Sequence, residues 1–325
     1  MIITQTPLRI SFAGGGTDFE GFYSKDGGCV VSTAIDKYIY IIVKERFDDK
    51  IRVGYSRTEM VNFIDEIEHE LVREAMRMVG IEKGIEIATM ADVPSEGSGL
   101  GSSSSVTVGL LNALYAYKGE FQPAEVLARQ ACEIEIDILG KPIGKQDQYI
   151  AAYGGIRDFS FNSDGSVSTE AVSMDEDQRR QLSDSLLLFY TGITRKASAV
   201  LTEQRENIEA RRGTLRKMKA QAFEVRRCFE SQDFSELGRI MDEGWQHKKQ
   251  LAGAVSNGQI DQMYEAAIKA GAVGGKVAGA GGGGFLLLYC PPAVQAEVRN
   301  ALWGMKEMAF RLERDGTKII LNARR

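Results

Sequence analysis

Two histidines in 325 residues, His69 and His247, and four widely separated cysteines, Cys29, Cys132, Cys228 and Cys290, leave the chain poor in the usual metal ligands and nucleophile activators. The cysteines match no metal-ligand spacing and read as reduced core thiols. A helix over residues 65–79, with Asp65 and Glu68 resembling a capping box, places His69 on the polar side of the Ile64, Ile67, Leu71, Ala75 and Met78 stripe. His247 lies in the polar stretch 246–250. With both imidazoles solvated, Ser-His-Asp, Cys-His and most zinc mechanisms drop out, since each needs an imidazole in the site. Catalysis is left to carboxylates and cations.

Long apolar runs are missing too. The longest, 38–43 and 285–290, fall far short of the ~18 residues of a membrane span. Arg9 interrupts the N-terminus where a signal peptide would be apolar, so a cytoplasmic protein without a membrane partner is expected. The net charge of −5 argues against nucleic acid as the main partner. No G-x-x-x-x-G-K-[ST] occurs, which excludes a P-loop protein. At this length two domains are expected, and self-association into a homodimer is left open.

Glycine is what the chain has in quantity, and its clusters organise the reading. The stretch 94–105 runs Pro-Ser-Glu-Gly-Ser-Gly-Leu-Gly-Ser-Ser-Ser-Ser. A strand over 85–90 enters it, and the apolar spacing of Val106, Leu110, Leu111, Leu114 and Tyr117 marks a helix leaving it. Backbone N–H groups of Gly97, Ser98, Gly99, Leu100, Gly101, Ser102, Ser103 and Ser104 are therefore placed where a helix start stabilises phosphate. The hydroxyls suit phosphate oxygens or a hard cation. A Ser/Gly linker would instead separate domains.

A second cluster, Gly14-Gly15-Gly16-Thr17-Asp18, follows the strand 7–12. It is either a tight β-turn or a close backbone approach to a ligand, with Arg9 and Asp18 as polar contacts. Strands over 29–34 and 38–46, joined through Ile35-Asp36-Lys37, and a short one over 51–54 follow. A helix from Pro123 to about Leu139 carries the stripe Leu127, Ala131, Ile134 and Ile138. At about 100° per residue, Glu135 falls roughly 70° from the centre of that stripe and Glu133 roughly 130° away, so Glu135 can turn inward. Asp147 lies in a glycine- and proline-fenced loop, 140–148, just before the apolar run 149–155, and a carboxylate near a core needs a partner or a job.

A hairpin over 158–161 and 167–172 and a charged boundary at 175–185 precede the strand 186–190. Thr194, Arg195 and Lys196 follow that strand as candidate anion contacts. Helical segments over 197–231, with Gly213 as a break, and 233–255, with Leu237, Ile240, Met241 and Trp245 facing the core, form a helical wall over a small sheet. Gly279, Gly281 and Gly284 satisfy G-x-G-x-x-G, but 285–290 reads as a strand, so the dinucleotide fingerprint is rejected. Strand, glycine turn and strand close a backbone-only pocket or pack against another backbone. A helix from Pro291 and closing strands over 308–312 and 318–322 complete the chain.

Three glycine motifs in this order resemble the GHMP kinase superfamily. Residues 94–105 are similar to its ATP phosphate loop and 279–284 to its C-terminal glycine motif. Glu135 and Asp147 resemble the magnesium-binding Glu and catalytic Asp of galactokinase-like members. Galactokinases have G-E-H-T-D where this chain has Gly14-Gly15-Gly16-Thr17-Asp18, so the Glu and His contacts to galactose are missing. The stretches 7–18, 144–149 and 190–196 together resemble the D-glycero-D-manno-heptose 7-phosphate kinases. The resemblance implies an α+β, two-domain GHMP kinase fold: a ribosomal S5 domain 2-like N-terminal domain over 1–180 and a ferredoxin-like C-terminal domain with added helices over 181–325. It implies ATP and Mg²⁺, a sugar phosphate phosphorylated at its anomeric hydroxyl, Asp147 and Arg9 in catalysis, and Ser103 and Glu135 on the metal. Gly15, Gly16, Thr17, Asp18, Thr194, Arg195, Lys196, Gly281 and Gly282 are then the substrate-side residues, with the last basic pair at the 7-phosphate. Alternatives are an anomeric kinase of a neutral sugar, of fucose or N-acetylhexosamine type, and a non-catalytic sugar and ATP sensor.

Overall fold

The computed structural model describes residues 1–94, 97–194 and 197–323. Alternating burial along the N-terminal residues forms β1 (Ile2–Ala13), which pairs antiparallel with the 18-residue β2 (Gly28–Glu45). β3 (Ile51–Gly54), β4 (Thr58–Val61), β5 (Ile85–Ala91), β6 (Ile156–Phe161) and β7 (Val167–Ala171) extend the same sheet. A strand this long outruns any one neighbour, so β2 carries β6 on residues 28–33 and β5 on residues 39–45. A smaller antiparallel sheet holds β8 (Leu186–Tyr190), β9 (Gly274–Val277), β10 (Phe285–Tyr289) and β11 (Lys306–Glu307), in the order β11-β8-β10-β9. The last strand, β12 (Lys318–Asn322), pairs with β1 in the first sheet.

Several expectations change in detail. The two strands expected over 29–46 are one, because Asp36 and Lys37 are extra residues of a bulge: the register jumps from Pro7↔Tyr38 to Leu8↔Ile35. The helix expected over 65–79 begins at Glu70, after a 3-10 turn at Ile64–Glu66. His69 is its N-cap, its Nδ1 accepting from Val72 N at 3.4 Å, and its ring packs edge-on against Tyr55. Burial pushes its pKa down, so it is not the solvated residue of the sequence reading. Gly213 breaks nothing; the helices Ala197–Glu206 and Ile208–Glu230 part at Asn207. The next helix is shorter than expected, Leu237–Lys249. Of the strand expected over 308–312, Leu312 makes an isolated bridge to Ile35. The division at 180/181 falls inside the helix Glu176–Asp184, and β12 lies with the N-terminal sheet rather than with the second domain.

The helix Ser102–Lys118 is buried around most of its circumference, as a central helix must be. It lies directly on β1, where Thr4 Oγ1 donates to Gly109 O at 3.0 Å. Near the other end of the strand, Phe229 of the helix Ile208–Glu230 meets Phe12 of β1 edge to face at 5.2 Å. β1 thus contacts helices of both parts of the chain, and its Arg9 lines the cleft. Among the described residues no helix is long and apolar enough to cross a membrane.

Candidate active site

The loop between β5 and the central helix is built on left-handed glycines at 97, 99 and 101, with Gly101 at the N-cap. Its position is set by the other glycine turn, between β9 and β10. A Cβ on Gly99 would stand 2.4 Å from Ala278 O, one on Gly279 2.5 Å from Gly99 O, and one on Gly284 2.5 Å from Ser98 O. Of the two readings left open for 279–284, this is backbone packed on backbone. Leu100 turns its side chain into the core, and its carbonyl accepts from Arg9 N at 3.0 Å, which ties the loop to β1. Ser98 Oγ and Ser102 Oγ lie 3.0 Å apart and brace the turn.

Arg9 and Asp147 form a two-pronged ion pair beside this loop. Arg9 Nε donates to Asp147 Oδ1 at 2.7 Å and Nη2 to Oδ2 at 2.6 Å, while Nη1 donates to Gly99 O at 2.5 Å. One guanidinium therefore fixes a carboxylate and the glycine loop in a common frame. Asp147 stands in the first turn of the helix Gln146–Tyr153, 24% exposed, whereas Arg9 is buried. Asp18 completes the group: Gly16 N donates to its Oδ1 at 2.9 Å and Gln146 N to its Oδ2 at 3.2 Å. Burial, then the neighbouring Asp147 charge, push the Asp18 pKa up, against the pull of those N–H groups.

Glu135 is fully buried. The helix expected over 123–139 runs as Ala124–Cys132 and then widens into the π-turns Glu133–Ile138, where Leu139 N reaches back to Ile134 O. The wider turn swings Glu135 from the flank into the core and leaves Glu133 exposed. Its carboxylate accepts from Ser103 Oγ at 2.5 Å, Ser104 Oγ at 2.7 Å and Gln148 Nε2 at 2.7 Å. Burial raises its pKa and these donors oppose the rise, Ser103 first.

The sequence reading missed two buried lysines. Lys248 lines the cleft with Arg9, Asp18 and Asp147, and its Nζ donates to Gly279 O. Burial, then Arg9, push its pKa down to about 8, with Asp18 and Asp147 pulling the other way. Lys276 Nζ donates to Ser11 Oγ at 3.2 Å, and burial, then Lys248, hold its pKa well below the usual range. A signal for Lys248 existed: it continues the Leu237, Met241, Trp245 stripe at helical spacing. Lys276 had none, being one residue of a short buried strand.

The cleft so assembled combines a glycine-lined helix start, the basic side chains of Arg9 and Lys248 and the carboxylates of Asp18 and Asp147, the composition a phosphoryl-transfer site needs. Residues 54–155 match the family model of the GHMP kinases N terminal domain, and residues 225–304 match that of the GHMP kinases C terminal. The D-glycero-alpha-D-manno-heptose 7-phosphate kinase of Campylobacter jejuni is 30% identical over 93% of each chain. This chain belongs to the GHMP kinases. A crystal structure of a D-glycero-D-manno-heptose 1-phosphate kinase from Bacteroides thetaiotaomicron superposes with a TM-score of 0.83 at 27% identity, covering both chains completely. An L-fucokinase/L-fucose-1-P guanylyltransferase of Bacteroides fragilis is 26% identical over 92% of this chain, which spans 35% of that bifunctional enzyme. The protein is accordingly an ATP-dependent sugar kinase of this family.

Within this GHMP kinase, the structure gathers Gly97, Ser98, Gly99, Gly101, Ser102, Ser103, Ser104, Arg9, Gly16, Asp18 and Asp147 around one cleft. Other expected residues lie outside the cleft lining. Thr17 Oγ1 donates to Gly14 O at 2.8 Å, bracing the glycine turn. Gly15 packs near Gln146 and does not line the cleft. A Cβ on Gly281 would stand 2.8 Å from Val255 O, and Gly282 N donates to that same oxygen at 2.7 Å; neither residue lines the cleft. Thr194 is exposed and outside the cleft lining; Arg195 and Lys196 lie outside the described residues.

Proposed function

We propose that this GHMP kinase transfers the γ-phosphoryl of ATP to the anomeric (C1) hydroxyl of D-glycero-D-manno-heptose 7-phosphate, giving the 1,7-bisphosphate. The observation that carries the chemistry is the Arg9–Asp147 pair fixed at the phosphate loop. The likeness to the heptose 7-phosphate kinase along nearly the whole of both chains supports the substrate. Each Asp147 oxygen keeps a lone pair beyond its bond to Arg9, and accepts from the sugar's 1-hydroxyl, either taking its proton or holding it in line. A positioned base contributes about 10²–10⁴ in rate. Asp18 accepts sugar hydroxyls beside it. Backbone N–H groups of residues 97–102 hold the ATP phosphates, and the buried Lys248 ammonium, with Arg9, offsets charge on the transferring group.

Ser103 and Glu135 fit Mg²⁺. They supply hard oxygen donors, and no group of three or more His, Cys, Asp or Glu among the described residues could cage a metal alone. This suits a cation that keeps water and phosphate oxygens among its ligands. When bound, Mg²⁺ supplies positive charge against the phosphate oxygens. A second reading, an anomeric kinase of a neutral sugar, is favoured by the likeness to the bifunctional fucose enzyme. ADP release with Mg²⁺-ATP, measured against the heptose 7-phosphate, mannose and fucose, tests the proposal. Turnover of the heptose phosphate alone supports it, turnover of a neutral sugar alone discards the substrate, and silence with ATP bound favours a sensor.

A further inference from the structure

The chain passes between the two sheets twice, through residues 172–185, from β7 to β8, and through residues 308–317, from β11 to β12. A cavity of about 460 Å³ lies where the two crossings meet, lined by Glu176, Arg179, Arg180 and Ser183 of the first and by Arg311 and Leu312 of the second. It shares no lining residue with the cleft of Arg9 and Asp147. The four helical residues stand at three- and four-residue spacings on the helix Glu176–Asp184 and so share one face, while Leu182 is buried on another. The helix starts on a full capping box: Asp175 Oδ1 accepts from Gln178 N at 2.8 Å, and Gln178 Oε1 from Asp175 N at 2.9 Å. Opposite it, the Arg311 backbone is fixed to Asp36, its N donating to Asp36 Oδ1 at 2.7 Å and its O accepting from Asp36 N at 2.9 Å.

The lining carries three arginines and one carboxylate. That carboxylate, Glu176, is exposed and pairs with Arg314; at the other end of the helix Asp184 pairs with Arg311. Glu313 accepts from Tyr38 Oη and from the N–H groups of Arg314 and Asp315. Arg179 is left with none of them. Its Nε and Nη1 are covered by protein and, like the Oγ of Ser183 one turn on, have no hydrogen-bond partner. Its Nη2 is not covered in this way and is the nitrogen left to face a ligand. Neither Arg179 nor Arg180 makes an ion pair among the described residues. Burial, then Arg314, push the Arg179 pKa down, against the pull of Glu176 and Glu313, but a guanidinium in a protein keeps its charge. A half-buried cation beside an unpartnered hydroxyl, with these carboxylates engaged elsewhere, costs stability unless an anion meets it. The exposed Arg180 and Arg311 add their charge to the same cavity.

We propose that this cavity is a second anion site, separate from the phosphoryl-transfer cleft, in which Arg179, Arg180 and Arg311 bind one phosphate group, with the Ser183 hydroxyl as a further donor. Phosphate suits the set. A tetrahedral dianion offers oxygens on several sides, and arginines arriving from two segments reach different ones. The cavity has room for more than the phosphate itself, so orthophosphate and the phosphate monoester of a small molecule share the required chemistry. Because the lining comes from both crossings, a bound phosphate ties them together, and it stabilises the folded chain as its concentration rises above its dissociation constant. The inference is independent of which sugar the cleft takes.

Calorimetric titrations with orthophosphate and with glucose 6-phosphate, at constant ionic strength and with Mg²⁺-ADP saturating the cleft, test this in the full chain. Wild type is expected to bind one equivalent of at least one probe, with a matching rise in the thermal midpoint. Arg179→Met, which keeps the aliphatic stem, and Arg180→Ala, at an exposed position, should each weaken that binding about tenfold, the scale of one charge-assisted contact. Turnover and affinity for ADP should stay as in wild type, since neither residue lines the cleft. Tighter binding of the ester than of orthophosphate assigns the site to phosphorylated small molecules; equal or weaker binding of the ester assigns it to free phosphate. No binding of either probe overturns the inference and leaves the cavity to water. Undiminished binding in Arg179→Met, or a loss that comes with an equal loss of ADP affinity, overturns it by placing the bound phosphate elsewhere. If Arg179→Met fails to fold, Arg180→Ala carries the same readout. Each of these outcomes leaves the heptose kinase assignment standing, which turnover with the heptose 7-phosphate decides separately.

Discussion

Gly99 and Gly279 touch backbone to backbone across the cleft: a Cβ added to Gly279 would lie 2.5 Å from Gly99 O and 2.7 Å from Gly99 Cα. The glycine loop before the central helix, carried by the first sheet, thus takes its shape from a turn of the second. No side chain can be inserted there without moving one of the two. Gly279→Val should therefore lower ATP affinity and turnover together, at a stability cost of about 1–3 kcal/mol from overpacking. Nucleotide titration and thermal unfolding check this; full ATP affinity in a folded variant would show that the loop keeps its shape without the turn.

Asp147→Asn keeps the size of the side chain but removes the charge that Arg9 grips with both prongs. Turnover should fall about 10²–10⁴-fold, as expected for loss of a positioned proton acceptor, while ATP still binds. Arg9→Lys should also lose mainly kcat, because one ammonium cannot hold Asp147 and Gly99 O in the same geometry. Single-turnover rates and nucleotide binding separate the two effects.

Lys248 is expected to set an alkaline limit. Its pKa, pushed down to about 8, makes it cationic below that pH and neutral above it. If its charge assists transfer, kcat/KM falls as pH rises through about 8, and the limb in kcat lies higher because bound phosphates favour the ammonium. Lys248→Arg should move the limb upward, since a guanidinium stays charged. A stability signature follows with a definite sign. The folded chain gives up this proton before the unfolded chain does, so the burdened ammonium opposes folding below pH 8 and the penalty fades as pH rises toward about 10.4. Lys248→Met should accordingly gain more stability, relative to wild type, at pH 7 than at pH 9.5. An unchanged pH–rate profile in Lys248→Arg would remove this lysine from the chemistry.

Glu135→Gln replaces a buried carboxylate held by Ser103, Ser104 and Gln148 with a neutral amide. The Mg²⁺ concentration needed for half-maximal rate should rise at least tenfold, with KM for the sugar little changed. A Mg²⁺ titration at fixed ATP checks it, and an unchanged Mg²⁺ requirement would place the cation elsewhere.

Much of this site was legible in the sequence because its signals are local. The loop that lines the cleft declares itself by glycines between a strand and an apolar helix, and Asp147 by a fenced loop before an apolar run. Glu135 was half legible: its helical angle put it on a flank, and only the π-turns that widen the helix bring it wholly inside. The single β2 strand was missed because a bulge at Asp36 and Lys37 looks, residue by residue, like a connection.

What the sequence determined by itself is whatever depends on near neighbours in the chain: the loop, its helix and the carboxylate candidates. What the tertiary structure decided is which distant groups share one space. Lys248 reads as a polar residue until its helix buries it against Gly279. The fork of Arg9 on Asp147 joins residues 138 positions apart, and β12 returns to β1 from the far end of the chain. The physical reason is desolvation: a buried charge depends on the dipoles and charges that the fold, and not the order of residues, brings within reach of it.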